Sequence, residues 1–292
     1  MTATVSTEGR PHIRGLPIPK TRTFPGAGSL NLVGTNILKA QKRGLPVLDT
    51  RYRGHKGVVS IVGGGPSLAD TWDRFEGNVV CVNGAHDWLI DRGIVPSACV
   101  LLCPVDYLLD AFKFTPHKDV QYFVASLCHD NTFDRLKNHN VVLWHASQPH
   151  PIPIDALLPK GQLQVSGGGF VSLRAINLNY LLGFRRFHLH ALDSSHRRID
   201  DGAINHHAYA QARDDEGSKQ PEIIDGYPTF LALSAQVADF FRTVDSFEMP
   251  GHDPITFTLH GDGLLQHAWK KHAGSLTYTT HPGRDQAAPA AA

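Results

Sequence analysis

Val58-Val59-Ser60-Ile61-Val62-Gly63-Gly64-Gly65-Pro66-Ser67-Leu68 is an apolar run that breaks into three glycines and then into a helix-start signal. Residues 58–62 are β-branched apart from Ser60, too short for a helix and suited to a strand buried on both faces. Gly63, Gly64 and Gly65 allow positive φ and let a ligand reach bare backbone. Ser67 is expected to cap the next helix, with Asp70 in the capping-box place and Leu68, Trp72 and Phe75 as its apolar stripe. Strand, glycine turn and helix N-terminus together make an anion site, because unpaired N–H groups and the helix dipole both favour phosphate there. Pro66 and Ser67 stand where a dinucleotide fingerprint would place its last glycine, and no Lys completes a Walker loop, which disfavours NAD and P-loop chemistry. The competing reading is a tight strand-to-helix turn that holds nothing.

Outward from this stretch, short apolar runs alternate with helical segments. Asn78 to Val82 ends at Asn83-Gly84 and leads into a helix, Ala85 to Asp91, closed by Gly93. Ala98 to Cys103 stops at Pro104 with Asp106 just beyond, and Val120 to Ser126 and Val141 to Ala146 flank a helix through Thr132 to Lys137. After an irregular connection marked by Pro149, Pro151, Pro153 and Pro159, Gly167-Gly168-Gly169-Phe170 opens the best helix in the chain. Val171, Ala175, Leu178 and Leu182 share one of its faces, and Gly183 ends it. The strand Phe187 to Leu192 then delivers Asp193-Ser194-Ser195. A helix from Thr229 to Phe247, a strand from Ile255 to Leu259, Gly261-Asp262-Gly263 and a last helix complete the pattern. Such alternation predicts an α/β fold, a doubly wound and mostly parallel sheet with helices on both faces and ligands at the carboxyl ends of the strands. Residues 1–54 read as an N-terminal arm with a short helix at Leu32 to Arg43, 55–275 as the nucleotide-binding catalytic domain, and 276–292 as a flexible tail. The polar stretch 194–228 is too long for an ordinary loop and is a candidate lid.

Hydrophobic content of 41% and charged content of 19% over 292 residues describe an ordinary soluble globule. A formal net charge of +1 supplies no global field for nucleic acid or membrane, and no basic stripe is interleaved with aromatics. The N-terminus lacks the apolar core of a secretory signal, no run approaches a membrane span, and the four cysteines show no C-x-x-C spacing. Cys81, Cys99 and Cys103 read as small buried hydrophobes in a reducing compartment, so the expected setting is cytoplasmic, with homo-oligomerisation left open.

Three landmarks occur in order: Gly63-Gly64-Gly65-Pro66-Ser67-Leu68; Asn83-Gly84-Ala85; and Gly167-Gly168-Gly169-Phe170-Val171-Ser172, leading through Leu182-Gly183-Phe184 to His190-Ala191-Leu192-Asp193. In that order and spacing they resemble the 6-hydroxymethylpterin diphosphokinase MptE-like family over about residues 55 to 195. The G-P-S-L element is also similar to that of the glycosyltransferase family 42 sialyltransferases, which use nucleotide-sugars on a Rossmann-like sheet. The resemblance implies a Rossmann-like transferase in which Gly63, Gly64, Gly65, Pro66 and Ser67 cradle phosphate, Asn83 touches ribose or base, and Asp193 lies near the reacting phosphates. Members of the diphosphokinase kind carry an Asp-Pro pair where this chain has Cys103-Pro104, which leaves Asp106 as the substitute acid.

Phosphoryl or diphosphoryl transfer needs positioning, charge neutralisation and usually Mg²⁺ held by one or two carboxylates. Asp106 and Asp193 are the candidate metal ligands because both follow strands. Asp193, His206 and His207 are the candidate catalytic residues, a loop histidine serving as base toward an acceptor hydroxyl. Gly168, Gly169 and Arg197 join the expected phosphate site, with solvated surface as the bland reading for Arg197 and for Arg174, Arg185, Arg186 and Arg198. His188 and His190 alternate and, with His196, His206 and His207, suggest a transition-metal cluster. Without an acid or cysteine at helical spacing they are read instead as satisfied core histidines. The expected reaction moves a phosphate-containing group from a nucleoside triphosphate, ATP foremost, with Mg²⁺, to a small hydroxyl acceptor. Nucleotide-sugar glycosyl transfer and a non-catalytic nucleotide-binding module are the alternatives.

Overall fold

The computed structural model describes residues 26–49, 54–106, 114–147, 154–198, 204–205, 208, 221–247, 253–273 and 277–280. The expected arm at 1–25, His206 and His207, much of the 194–228 loop and the tail from 281 lie outside the described residues.

In chain order the elements are α1 (Gly26–Gln41), β1 (Val58–Val62), α2 (Leu68–Thr71), β2 (Asn78–Val82), α3 (Ala85–Ile90), β3 (Ala98–Leu101), β4 (Gln121–Ala125), α4 (Asp130–Arg135) and β5 (Asn140–Ala146). There follow β6 (Gln164–Val165), α5 (Val171–Leu182), β7 (Arg186–His190), β8 (Arg197–Arg198), β9 (Ile204–Asn205), β10 (Glu222–Ile224), β11 (Tyr227–Thr229), α6 (Leu231–Phe247), β12 (Ile255–His260), α7 (Leu264–Ala273) and β13 (Thr277–Thr280).

A sheet of nine strands runs in the order β13-β12-β7-β1-β2-β3-β4-β5-β6. All pairs are parallel except β12 with β13, which closes one edge antiparallel. This is the Rossmann-like architecture that the alternation predicts. From β1 the chain winds outward through β2 to β6, then returns over α5 to β7 on the other side of β1. The winding therefore reverses at β1, and a crevice opens at its carboxyl end.

β1 is buried along almost its whole length, which explains its near-continuous β-branched run. Its one hydroxyl is satisfied: Ser60 Oγ donates to the Glu76 carbonyl and accepts from the Glu76 N–H, both at 2.9 Å. Trp88, Trp144 and Trp269 fill the spaces between sheet and helices, and Trp144 Nε1 donates to the Phe123 carbonyl at 3.1 Å. Cys81, Cys99 and Cys128 are buried free thiols, and burial pushes the Cys128 thiol up to about 12.

Three local expectations change. α2 lasts one turn and continues as a 3-10 turn, Trp72–Arg74, so no amphipathic stripe forms, and Trp72 is exposed. Ser67 makes no cap hydrogen bond, because its hydroxyl goes to Asp193. Thr277–Thr280, read as the start of a tail, forms an edge strand in register with β12.

α1 is held by a buried side chain that no periodicity marks. Asn36 Nδ2 donates to the carbonyls of Pro104 (2.9 Å) and Leu127 (3.0 Å), joining the helix to the chain beyond β3 and β4. Asn36→Ala strands two carbonyls and should cost about 1–3 kcal/mol in a urea titration, with the fold retained by circular dichroism.

Candidate functional site

The first glycine turn is fastened by a buried carboxylate. Asp193 Oδ2 accepts from Ser67 N–H at 2.7 Å and Oδ1 from the Ser67 hydroxyl at 2.5 Å. Three glycines let this happen. A Cβ on Gly65 would meet Asp193 Oδ2 at 2.5 Å, one on Gly263 would meet the Asp193 Cβ at 2.5 Å, and Gly261, with φ +115°, packs against Ser67 Oγ. Gly63 cannot carry a side chain either, since its Cβ would lie 2.5 Å from the Ala191 carbonyl.

The turn's backbone donors are consequently mostly engaged. Gly63 N–H donates to His190 O (2.8 Å), Gly65 N–H to Ala191 O (3.0 Å) and Leu68 N–H to Gly65 O (3.1 Å). Gly64 N–H has no partner among the described residues. With α2 only one turn long beyond it, Gly64 is the one glycine of the turn whose N–H is left unengaged among the described residues. Sequence could not show this, because the competing acceptors come from β7, more than a hundred residues later.

The start of α5 is less engaged. Phe170 precedes it in extended conformation without a side-chain cap, and the N–H groups of Val171, Ser172 and Leu173 make no hydrogen bond among the described residues. Twelve residues long, α5 has a substantial dipole. Its start faces a cavity of about 230 Å³ at the switch point, lined by Gly63 to Gly65, Asn83 and Gly84, Phe170 to Ser172, Ala191 to Ser195, and Leu233 and Gln236 from α6. Gln236 bridges the walls, donating to Ser172 Oγ (2.7 Å) and accepting from Ser194 Oγ (3.0 Å). Sequence reasoning missed Gln236, since a lone amide in an amphipathic helix carries no motif.

Four described non-glycine residues have positive φ: Asn83 (42°), Ala191 (54°), Ser194 (55°) and Asp225 (49°). Asp225 belongs with Gly226 to the hairpin turn of β10 and β11, where such angles are ordinary. The other three all line this one cavity, and strain of that kind, about 1–2 kcal/mol per residue, collects at functional sites.

A second cavity of about 260 Å³ adjoins through Asp193 and Ser195, and is lined also by Pro66, His196, Arg197, Gly226 to Pro228, Asp262 and Gly263. Arg197 Nη2 lies 2.5 Å from Asp70 and 3.2 Å from Asp262. The N-terminus of α7 is already occupied: Leu264 N–H donates to Ser195 Oγ and Leu265 N–H to the Asp193 carbonyl, both at 3.1 Å.

The expected site residues thus divide. Gly63, Gly64, Gly65, Asn83 and Asp193 line the main cavity, while Pro66 and Arg197 line its neighbour. Asn83 is partly engaged, exchanging side-chain hydrogen bonds with the Leu102 backbone at 3.1 and 3.3 Å. Gly168 and Gly169 are exposed and line neither cavity; the residues just after them do. Arg174 is buried rather than a solvated cation, its guanidinium donating to the carbonyls of Val165, Ser147 and Gly168. Asp106 stands apart, hydrogen-bonded by Asn131. It follows β3 while Asp193 follows β7, three strand spacings away, roughly 14 Å. Carboxylates so separated cannot share one Mg²⁺, whose ligand distances are about 2.1 Å. Asp193 spends both oxygens on Ser67, and Asp70 and Asp262 each pair one oxygen with Arg197. The described carboxylates therefore do not fit the expected Mg²⁺ site.

The fold defines a Rossmann-like α/β protein with a cavity at the switch point of its sheet. A family model described as 6-hydroxymethylpterin diphosphokinase MptE-like matches residues 35–198, more than half of the chain. The chain belongs to this family. The MAf glycosyltransferase from Magnetospirillum magneticum AMB-1 shares the fold, with a TM-score of 0.55 and 16% sequence identity over 85% of this chain and 37% of that one. The chain thus spans well under half the length of that neighbour. No curated protein matches, and no helix among the described residues is long and apolar enough to cross a membrane.

Burial raises the Asp193 carboxyl from 3.8 to about 6, against the lowering effect of the two Ser67 hydrogen bonds. A carboxyl raised on folding favours the native state below its unfolded pKa, and that contribution is lost as pH rises from 3.8 through about 6. Buried His190 and His145 work in the opposite direction: their pKa values fall from 6.5 to about 3 and about 4, so stability grows as pH rises through that window. Asp193→Asn keeps the histidine contributions and removes the first. The stability difference, wild type minus Asp193→Asn, should therefore fall between pH 4 and 6 and level off above, as read from urea titrations across pH.

Proposed function

We propose that this chain is a nucleotide-dependent transferase that moves a phosphate-containing group from a nucleoside triphosphate to a small hydroxyl acceptor. The observation that carries the reading is the uncapped start of α5 facing the Gly63 to Gly65 turn across the strained strand-end cavity. The donor's phosphates would lie at the N–H groups of Val171, Ser172 and Leu173, with Gly64 N–H opposite. Ser172, Ser194 and Gln236 would orient the donor through neutral hydrogen bonds. The adjoining cavity would take the reacting end and the acceptor. There Arg197 could exchange a carboxylate partner for a phosphate oxygen, a geometry suited to its forked donors. Membership of the diphosphokinase-like family supports phosphate rather than another anion.

A second reading, glycosyl transfer from a nucleotide-sugar, is favoured by one observation. The only carboxylate lining the main cavity among the described residues is Asp193, already bound by Ser67, so the site's donors are neutral. Such a site can hold a diphosphate through N–H groups and hydroxyls alone.

Thermal-shift titrations with ATP, GTP, CMP and UDP-sugars, each with and without Mg²⁺, separate the readings. Triphosphate stabilisation together with group transfer to an alcohol is the expected result. Stabilisation by nucleotide-sugars alone selects the second reading, and no response to any nucleotide overturns both. Ser172→Ala should weaken whichever nucleotide binds by about tenfold while leaving the apoprotein folded.

A further inference from the structure

Three histidines outside both cavities stand together on one face of the sheet. His188 and His190 alternate on β7 and so point the same way. His260 ends the parallel neighbour β12, in register with His190. The His190 and His260 rings stack at 4.1 Å with an interplanar angle of 3°, and His260 Nε2 lies 3.2 Å from His188 Nδ1. One ring nitrogen from each of the three falls within 4.8 Å of the other two.

Their cover is the segment that follows the glycine turn. Phe75 meets His190 edge-on at 4.8 Å, and the Glu76 carboxylate lies 3.9 Å from His188 Nδ1. Arg74, on the same cover, is solvent-exposed and lies 3.9 Å from Asp73.

His190 is fully buried, and neither of its ring nitrogens has a hydrogen-bond partner. The Thr71 backbone lies near the ring without hydrogen-bond geometry. A neutral imidazole has one N–H to donate and one lone pair to fill, and leaving each unmet in the interior costs about 1–3 kcal/mol. Protonation offers no relief, because burial and the neighbouring His260 and His188 hold this ring in its neutral form. The expectation of satisfied core histidines therefore fails at His190. His196 lies elsewhere, and the third member, His260, comes from a strand the sequence reading did not connect with the other two.

We propose that His188, His190 and His260 bind one divalent transition-metal ion of the zinc class, with the Glu76 carboxylate or a water completing its shell. Three neutral imidazoles select zinc-like ions over Mg²⁺ or Ca²⁺, which take oxygen ligands. Two ligands about 2.0 Å from a tetrahedral ion are about 3.3 Å apart, close to the spacing already present between His188 and His260. Modest ring rotation brings in His190, whose lone pair then has a partner. The role follows from position: β7 and β12 lead into Asp193 and the Gly261-Asp262-Gly263 turn, and the cover leads back to Ser67. One ion would fasten these pieces behind the transferase site, as a structural centre that takes no part in the transfer.

The chelator-dialysed full chain, titrated with Co²⁺ as a spectroscopic probe and then with competing Zn²⁺, tests this. One equivalent of Co²⁺ should produce visible ligand-field bands that Zn²⁺ bleaches, and Zn²⁺ should raise the melting temperature. His188→Gln and His260→Gln should each weaken Co²⁺ binding by no less than the roughly 10–100-fold that loss of even a hydrogen-bond partner of a metal ligand costs, while His117→Gln, on the chain before β4, leaves it unchanged. X-ray absorption of the wild-type protein carrying one equivalent of zinc gives a readout that needs no variant: a shell with three imidazoles is expected. A shell containing sulfur or fewer than three imidazoles, absence of the cobalt bands, or binding indifferent to both glutamine variants overturns the proposal.

Discussion

A carboxylate buried among glycines holds this structure's site together. Asp193 leaves the end of β7 and reaches the first glycine turn, where Ser67 donates both its N–H and its hydroxyl. Gly65 comes from the first glycine turn and Gly261 and Gly263 from the turn after β12, and each yields the space of its missing side chain to Asp193 or Ser67. The carboxylate costs solvation energy, which its raised pKa records, and two hydrogen bonds offset part of that cost. What results is mechanical: the ends of β1, β7 and β12 are drawn into one knot beside the switch point of the sheet.

The knot determines where a ligand can go. With Ser67 turned to Asp193 and the Gly63 and Gly65 N–H groups turned to the carbonyls of His190 and Ala191, the first turn becomes a wall with one unengaged N–H, that of Gly64, and the start of α5 becomes the electropositive side. Positive φ at Asn83, after β2, and at Ala191 and Ser194, after β7, brings these two strand ends around the same space as the end of β1. Gln236 ties the walls together through Ser172 and Ser194. Among the described residues the main cavity has no cationic lining residue, and Arg197 is held at the adjoining cavity by Asp70 and Asp262.

Much of the fold is legible in the sequence because each buried strand must be an apolar run and each crossover needs a helix. The run from Val58 to Val62, Gly183 ending α5 and the strand delivering Asp193 all carry local signals. The partners of Asp193 do not, since a capping serine and a carboxylate-bound serine look alike until a residue 126 positions away is placed beside it. The α2 stripe fails for a related reason: Trp72 has helical spacing, but the helix ends after Thr71 and leaves the ring in solvent. Asp106 and Asp193 both follow strands, as a metal pair would, yet strand order separates them, and order is not encoded in spacing. His260 joins His188 and His190 only through the β7–β12 register.

The account stands on the Asp193–Ser67 contact, and a double-mutant cycle measures it directly. Asp193→Ala, Ser67→Ala and the double variant, compared with wild type by urea unfolding at neutral pH, isolate the bond between the serine hydroxyl and the carboxylate. A coupling energy of about 1.5–3 kcal/mol is predicted for a buried hydrogen bond to a charged group. Additivity within about 0.5 kcal/mol would contradict it, and would mean that the strand ends are held together by something other than this carboxylate.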